Sequence, residues 1–482
     1  MCSFSTPKEC RASNAAPYHE GVTPERRSLA VSAAAVFLCS ALICLAARGD
    51  LWLDEIWSVS FARGASTPID LLEIHHDNNH LLNTAWLYLM RWQQASIIYR
   101  ALAILSGIGS VIIAGSIARQ WGKTESIAAT LLIGTSYPLV LYFSEARGYA
   151  PAIFCALAAY RILQRNSESD PIGPAAMFWI ACIAGILSHL TFAMVLVAFA
   201  IASVVPPYAM PLRRLAMFHG APILFAAGWY AYFARDMVFG RGPVYPTGKV
   251  VLQAAAILLG LPDLSLFGIL SIAAVVLIVI GGAFALRRHG DPQWLFFPAL
   301  CLAAPAILLV AAHPRYLYFR YFVICFPFFY LVLAYLIGRF ARPGRTPVAA
   351  VVVLLLVSMQ AGRLYTLIAL GRGHYRDALR TMSAGTRGEV IRVGSDDDVA
   401  NGLVLKFYST VLPPAQTLRY IPLGEWQREP PEWFIFHTQK IDEEPAPGLA
   451  LRGGGVYDFV ERYPFEGTSG FEWFLFRRRG SH

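Results

Sequence analysis

Short polar islands interrupt an otherwise apolar chain, and they hold side chains able to do chemistry. The first, LWLDEIWSVS, sets Asp54 beside Glu55. A carboxylate can take a proton from a hydroxyl, and adjacent carboxylates at a membrane surface are costly unless they have a partner or a task. The same residues also suit a helix start, with Asp54 as N-cap and an amphipathic helix over Glu55 to Arg63. The two readings are compatible. The second island, HHDNNHLLNTAWLYL, gathers His75, His76, Asp77, Asn78, Asn79 and His80. Such a loop could bind a divalent cation, orient a polar substrate or serve as general acid and base; it could equally be a solvated turn capped by Asp77 or Asn79.

The third island is YFSEARGYA, with Glu145 and Arg147 between two apolar runs. A salt bridge between them is the simplest reading, although a spacing of two on a helix points side chains apart. His189, in SHLTF, falls at the next turn on the same side, where it could also be an interfacial histidine with one nitrogen satisfied. The fourth island, HPRYLYFRYF, places His313, Arg315 and Arg320 among Tyr316, Tyr318 and Tyr321. Arginine suits a membrane-anchored phosphate because its planar fork grips two oxygens and stays charged. An aromatic-rich snorkelling belt uses the same residues. Outside clusters should be poor in arginine, and this one is not.

The elements that must position these islands are membrane spans. Of the 482 residues 56% are hydrophobic and 15% charged, which puts the chain in the membrane class. Eleven spans are expected: Leu29 to Ala47, Ile97 to Ala118, Ser126 to Phe143, Gly148 to Leu163, Pro171 to His189, Leu190 to Val205, Leu215 to Ala234, Leu264 to Leu286, Trp294 to Ala312, Tyr321 to Ile337 and Val348 to Ala369. Several are shorter than the roughly 20 residues a span prefers. Arg26 and Arg27, Arg119 and Lys123, Arg161 and Arg165, Arg213 and Arg214, Arg287 and Arg288, and Arg339, Arg342 and Arg345 then share one side, which the positive-inside rule makes the cytoplasm. All four islands and His189 face the other side. Counting His80 to Trp92 as a span would invert every later loop, so that piece is expected to lie on the outer surface as an interfacial helix.

The chain therefore divides into a cytoplasmic tail (1–28), a transmembrane domain (29–370) whose first outer loop is 48–96, and an extracytoplasmic domain (371–482). In the last, helical Tyr375 to Met382 and Val399 to Tyr408 alternate with strand-like VIRVG, WFIFH, VYDFV and FEWFLF, a small α/β pattern. The net charge of +9 lies in clusters between apolar runs rather than along a stripe, which argues against nucleic acid. Of eight cysteines, Cys2 and Cys10 lie in the tail and the other six in apolar runs, with no disulfide framework or metal-ligand spacing. The first apolar run reads as a retained helix rather than a cleaved signal.

Taken in order, LWLDEIWS, DNNHLLNTAWLYL, SEARGY and an outer arginine before a late span resemble the GT-C superfamily of membrane glycosyltransferases, in the branch of the protein O-mannosyltransferases and the lipid A aminoarabinose transferase. The resemblance runs from the first span through the eleventh. It implies a polytopic α-helical GT-C-like fold and an inverting transfer of a sugar from a polyprenyl-phosphate donor at the extracytoplasmic face of the inner or plasma membrane, with the first-loop aspartate, here Asp54, as base. Glu55 would stand beside it; Asp77, His80, Glu145, Arg147 and His189 would orient acceptor or sugar; Arg315 and Arg320 would bind the lipid phosphate. Some members add metal ligands in the first loop, and a divalent cation is the one cofactor considered; Asp77 and His80 match those positions only approximately. The family often has His-Pro where this chain has His80 and Leu81, and the WWDYG-type signature of oligosaccharyltransferases is missing.

The chemistry is coherent without the family. A sugar on a lipid phosphate already carries its activation, so the protein must deprotonate an acceptor hydroxyl, align the reactants and stabilise the departing phosphate. No P-loop or Rossmann glycine pattern for a nucleotide sugar is present. The competing class is a lipid or glycan transporter or flippase, which tends to carry mid-helix charges and inverted repeats. The sugar and the acceptor, whether glycan, lipid or protein, stay open.

Overall fold

The computed structural model describes residues 24–93, 95–165, 172–206, 209–240, 242–262, 265–312, 314–341, 346–440, 443–451, 453 and 455–480. Cys2, Cys10, His313, Arg342 and Arg345 lie outside the described residues.

Apolar runs rich in Ala, Leu, Ile and Val fold as helices because only the helix satisfies every backbone group within one segment. Five are long and apolar enough to cross a membrane: Leu29–Ala46, Ser96–Ala118, Ser265–Arg288, Phe319–Phe340 and Pro347–Gly385, the last merging the final span with the helix after it. A sixth is a bent pair, Lys123–Gly134 with Tyr137–Phe143, turned by 65°. The sequence predicts one straight span there, Ser126 to Phe143. Gly134 and Pro138 flank the break, and the side-chain oxygen of Gln360 accepts from the Tyr137 N–H at 3.2 Å. Further apolar helices, among them Ile172–Ser188, Phe192–Val204 and Phe296–Ala311, are shorter than 18 residues. Large apolar side chains on these helices, such as Phe37, Leu277 and Leu354, are exposed, as a lipid-facing surface requires.

One helix lies outside the expected spans. Thr247–Leu259 has 13 residues and ends at Gly260, whose φ of 73° reverses the chain onto Ser265–Arg288. At roughly 1.5 Å per residue it covers about 20 Å, less than a bilayer core.

The first outer loop forms Leu53–Gly64 and then the short helix Leu81–Leu89, which packs on Leu53–Gly64 and on Ile172–Ser188 instead of spanning. Asp54 is not the N-cap of its helix. Trp52 is, and the Glu55 carboxylate reaches back to the Trp52 N–H at 3.2 Å.

The C-terminal part is a six-stranded mixed sheet of β1 (Val390–Ser395), β2 (Thr417–Tyr420), β3 (Trp433–Thr438), β4 (Gly448–Leu451), β5 (Gly455–Tyr463) and β6 (Glu472–Arg478), in the order β2-β1-β3-β6-β5-β4. β1 runs parallel to β2 and β3; the other pairings are antiparallel. Its core is continuous with the first outer loop: Ile391, Val393, Trp433 and Trp473 share one buried cluster with Trp52, Ile56 and Val59. The Tyr408 hydroxyl both accepts from the Leu51 N–H (2.6 Å) and donates to the Leu51 carbonyl (3.0 Å). The sheet domain thus sits at the end of the bundle that carries Asp54. At the opposite end, the Trp121 indole N–H donates to Asp291 at 3.2 Å, and Arg339 pairs with His289.

Candidate active site

The polar islands converge on Asp54. Helix Leu53–Gly64 presents it from its first turn, where the exposed backbone N–H groups favour a negative charge. The Arg147 guanidinium pairs with Asp54 Oδ2 through Nη1, and Arg320 Nη1 lies 3.2 Å from the same oxygen. Asp54 and Arg320 keep 14% and 20% of their side chains exposed, whereas Arg147 keeps 3%. The carboxylate and one arginine are therefore open to a ligand that Arg147 meets from below.

His80 holds Arg147 from the other side. Its Nε2 lies 3.1 Å from Arg147 Nη2, and since a guanidinium can only donate, that nitrogen accepts and the ring proton belongs on Nδ1. The His80 ring stacks on His189 with centroids 4.7 Å apart, and Tyr149 packs on His189 at 4.2 Å. Gly148 makes this approach possible, since a Cβ there would lie 1.8 Å from the Ser188 oxygen and 2.8 Å from His80 Cβ. Burial, then the neighbouring ring and arginines, push the His80 imidazole well below its ordinary value; burial and the two arginines push His189 down to about 3. Both histidines are neutral at pH 7. One carboxylate against two guanidinium groups leaves the cluster with excess positive charge.

A shell of buried charge supports the cluster. Arg100 grips Glu55 with two bonds of 2.7 and 2.6 Å while donating to the carbonyls of Ala47 and Asp50. Glu55 also accepts from the Ala146 N–H at 2.8 Å, and Asn83 donates to the Ala146 carbonyl at 2.8 Å. Burial pushes the Glu55 carboxyl up, but the Arg100 charge and hydrogen bonds outweigh it and leave it below the usual carboxylate range. Every acceptor direction of Glu55 points at a structural partner, so it braces the site rather than facing it. Glu145 does not pair with Arg147. It takes Arg372 at 3.2 Å, and for this carboxyl burial wins and its proton affinity rises.

Two expected residues stand apart. Arg315 is exposed, its guanidinium 5.6 Å from the centroid of the Tyr316 ring, with no contact to Asp54. Asp77 accepts from the Gly240 N–H at 3.0 Å and lies 3.0 Å from His76 Nδ1, and its segment pairs with Val238 across a short parallel bridge. Burial raises the Asp77 carboxyl, yet these bonds outweigh it and hold it low. Its work is to fasten the first outer loop to the 235–246 connection. Among the described residues no group of three or more His, Cys, Asp or Glu is arranged to hold a metal. Sequence reasoning missed Arg100, Arg372, Asn83, Tyr149 and Gly148.

Three donors in the cluster are buried without a partner among the described residues: Arg147 Nε, Arg320 Nε and the Tyr149 hydroxyl. Buried donors normally have acceptors, so these mark where a ligand's oxygens would be accommodated.

No protein-family model matches the sequence, and no curated protein does. Solved structures do match. ArnT from Cupriavidus metallidurans in its apo state is similar with a TM-score of 0.54 at 14% identity, over 86% of this chain and 93% of that one. ArnT from the same organism bound to undecaprenyl phosphate gives 0.49 at 13% identity, over 94% and 98%. An Archaeoglobus fulgidus oligosaccharyltransferase tethered with an acceptor peptide gives 0.46 at 12% identity, over 82% and 61%. At such identities the likeness is one of fold.

Proposed function

We propose, from a chain that has the GT-C fold of membrane glycosyltransferases, that it transfers a sugar from a polyprenyl-phosphate carrier to an acceptor hydroxyl at the extracytoplasmic face. The observation that carries this reading is the single oxygen of Asp54 held between Arg147 and Arg320, with two guanidinium Nε donors left over. A carboxylate that can accept a proton and two arginines that can take a phosphate are the groups such a transfer requires.

The acceptor oxygen attacks C1 of the sugar as its proton passes to Asp54. The bond from C1 to the phosphate oxygen breaks, and its electron pair leaves with the polyprenyl phosphate, where Arg147 and Arg320 stabilise the added charge. Attack opposite the leaving group inverts C1. The phosphate and Asp54 compete for the same guanidinium groups, so donor binding draws the arginines away and frees the carboxylate to act as base. His80 and His189 stay neutral and add no charge of their own; with Tyr149 they form an aromatic wall beside the arginines, suited to a sugar face. Asp77 and Glu145 act through other residues, and Arg315 is not part of the phosphate grip. The one-sided basic loops support placing this end of the bundle, with the sheet domain, outside.

A transporter or flippase would place its charges along a path through the bundle. Here the charged residues around Asp54 gather at one end. Binding of undecaprenyl phosphate to purified protein, followed by transfer from radiolabelled polyprenyl-phosphate sugars to envelope acceptors, tests the proposal; binding without any transfer across donors and acceptors would favour the flippase.

A further inference from the structure

The turn that carries Arg147 is held by the C-terminal sheet domain as well as by its own helices. The connection between β5 and β6 runs through Pro464–Phe471 and is largely buried. Glu466 accepts from the Tyr137 hydroxyl at 2.5 Å, and its own N–H donates to the Gly371 carbonyl at 2.9 Å. The Thr468 hydroxyl stands 2.5 Å from the same Tyr137 oxygen, and the Thr468 N–H donates to the Glu466 carboxylate at 2.9 Å. Gly470, at φ 130°, lies so close that a Cβ would be 1.9 Å from the Arg372 carbonyl oxygen. Arg372 in turn donates to Glu145, to the Ser144 hydroxyl (2.9 Å) and to the Leu141 carbonyl (2.9 Å). The connection therefore grips the start of the short helix Tyr137–Phe143 directly and, through Arg372, its end and Glu145, two residues before Arg147.

We propose that this connection is a positioning element of the active site: Glu466 and Thr468 hold Tyr137 and the chain beside Arg372, and Arg372 fixes the 144–148 turn so that the Arg147 guanidinium stands over Asp54. A connection whose task was only to seal the domain against the bundle would gain nothing from burying a glutamate and an arginine, because apolar residues of equal volume serve stability as well or better. Directed polar bonds do what apolar contacts cannot, which is to set the rotation of the Ser144–Gly148 backbone. The Arg147 N–H to Glu145 carbonyl bond of 2.7 Å carries that rotation to the guanidinium. The sheet domain thereby becomes part of the phosphate grip without touching the phosphate.

This inference rests on the reading of Arg147 as a phosphate ligand, and the test separates the two. Equilibrium binding of undecaprenyl phosphate is measured per folded molecule on the full-length protein in detergent, for wild type, Thr468→Val, Thr468→Ser and Glu466→Gln, with thermal unfolding of each. Thr468→Val removes one hydroxyl contact at nearly constant volume, and Glu466→Gln keeps the shape; both are expected to weaken binding about tenfold with unfolding temperatures within about 2 °C of wild type. Thr468→Ser retains the hydroxyl and is expected to restore binding. Wild-type affinity in both Thr468→Val and Glu466→Gln, whatever their unfolding temperatures, overturns the positioning role while leaving the phosphate site intact. A wild-type protein that binds no undecaprenyl phosphate overturns the phosphate site and this inference with it.

Discussion

Arg320 Nη1 and Asp54 Oδ2 lie 3.2 Å apart across 266 positions of sequence, and the bond brings the start of the first outer loop to the start of a late span. This pairing separates the two arginines of the fourth island. Arg320 is committed to the site, whereas Arg315 lies on the surface. Arg320→Ala is expected to cost roughly 1.5–3 kcal/mol of donor binding, the range of a charge-assisted contact, which is about 10- to 100-fold in affinity. Arg315→Ala is expected to stay within about twofold of wild type. Titration of both variants with undecaprenyl phosphate checks the contrast, and equal losses would return Arg315 to the site.

His189 gives the fold a sensitivity to acid. Its imidazole titrates at about 3 in the folded protein because burial and two arginines oppose its charge, against about 6.5 in an unfolded chain. Between those values the unfolded state binds a proton that the folded state refuses. Stability is whole above about pH 6.5 and falls as the pH drops toward 3. His80 is shifted in the same direction and adds to the effect. For His189 alone the loss between pH 7 and 5 is about 2 kcal/mol. Unfolding temperatures across that range should fall less steeply in His189→Asn than in wild type, and parallel curves would show that His189 is not the titrating group.

The order of sides is checked by reporter fusions after Arg345 and after Tyr408, which are expected to report opposite compartments, the second outside. The expectation stands on the alternation of basic loops and on the shared core that ties the sheet domain to the Asp54 end of the bundle. A common side for both fusions would overturn it.

The groups of the site were legible in the sequence because each island breaks an apolar run, where a charge needs a reason. Asp54, His80, Arg147, His189 and Arg320 were read that way, and the structure brings them together. Which group pairs with which was not legible, because partners are set by how helices distant in sequence pack. Glu145 takes Arg372 across 227 positions rather than Arg147 two residues away, and Glu55 takes Arg100 across 45. Arg100 did carry a signal, as an arginine inside the apolar run IIYRALAI that has no outlet to water. The helix Thr247–Leu259 escaped because its 13 residues fall below the length that marks a span and include Thr247, Lys249 and Gln253. The strands β1, β3, β5 and β6 announced themselves by aromatic and β-branched runs, while β2 and β4 are four-residue edge neighbours too short to do so.

Asp54→Asn is the sharpest test of the site. The cap role that could have explained this residue belongs to Trp52, so a helix-start function no longer competes with the chemical one. Asparagine is nearly isosteric and keeps an oxygen that both arginines can bond, so the fold is expected to hold. It cannot take a proton at neutral pH, and loss of a general base typically lowers the rate by about 10² to 10⁴. It also withdraws the negative charge that competes with a phosphate for Arg147 and Arg320. Transfer in single turnover should therefore collapse while undecaprenyl phosphate binds more tightly than to wild type, a pair of opposite effects that damage to the fold cannot produce. Weaker lipid-phosphate binding in this variant would show that Asp54 does not share its arginines with the donor, and a wild-type rate would move the base to another carboxylate, with the buried Glu55 and the fastened Asp77 as the remaining candidates of the first loop.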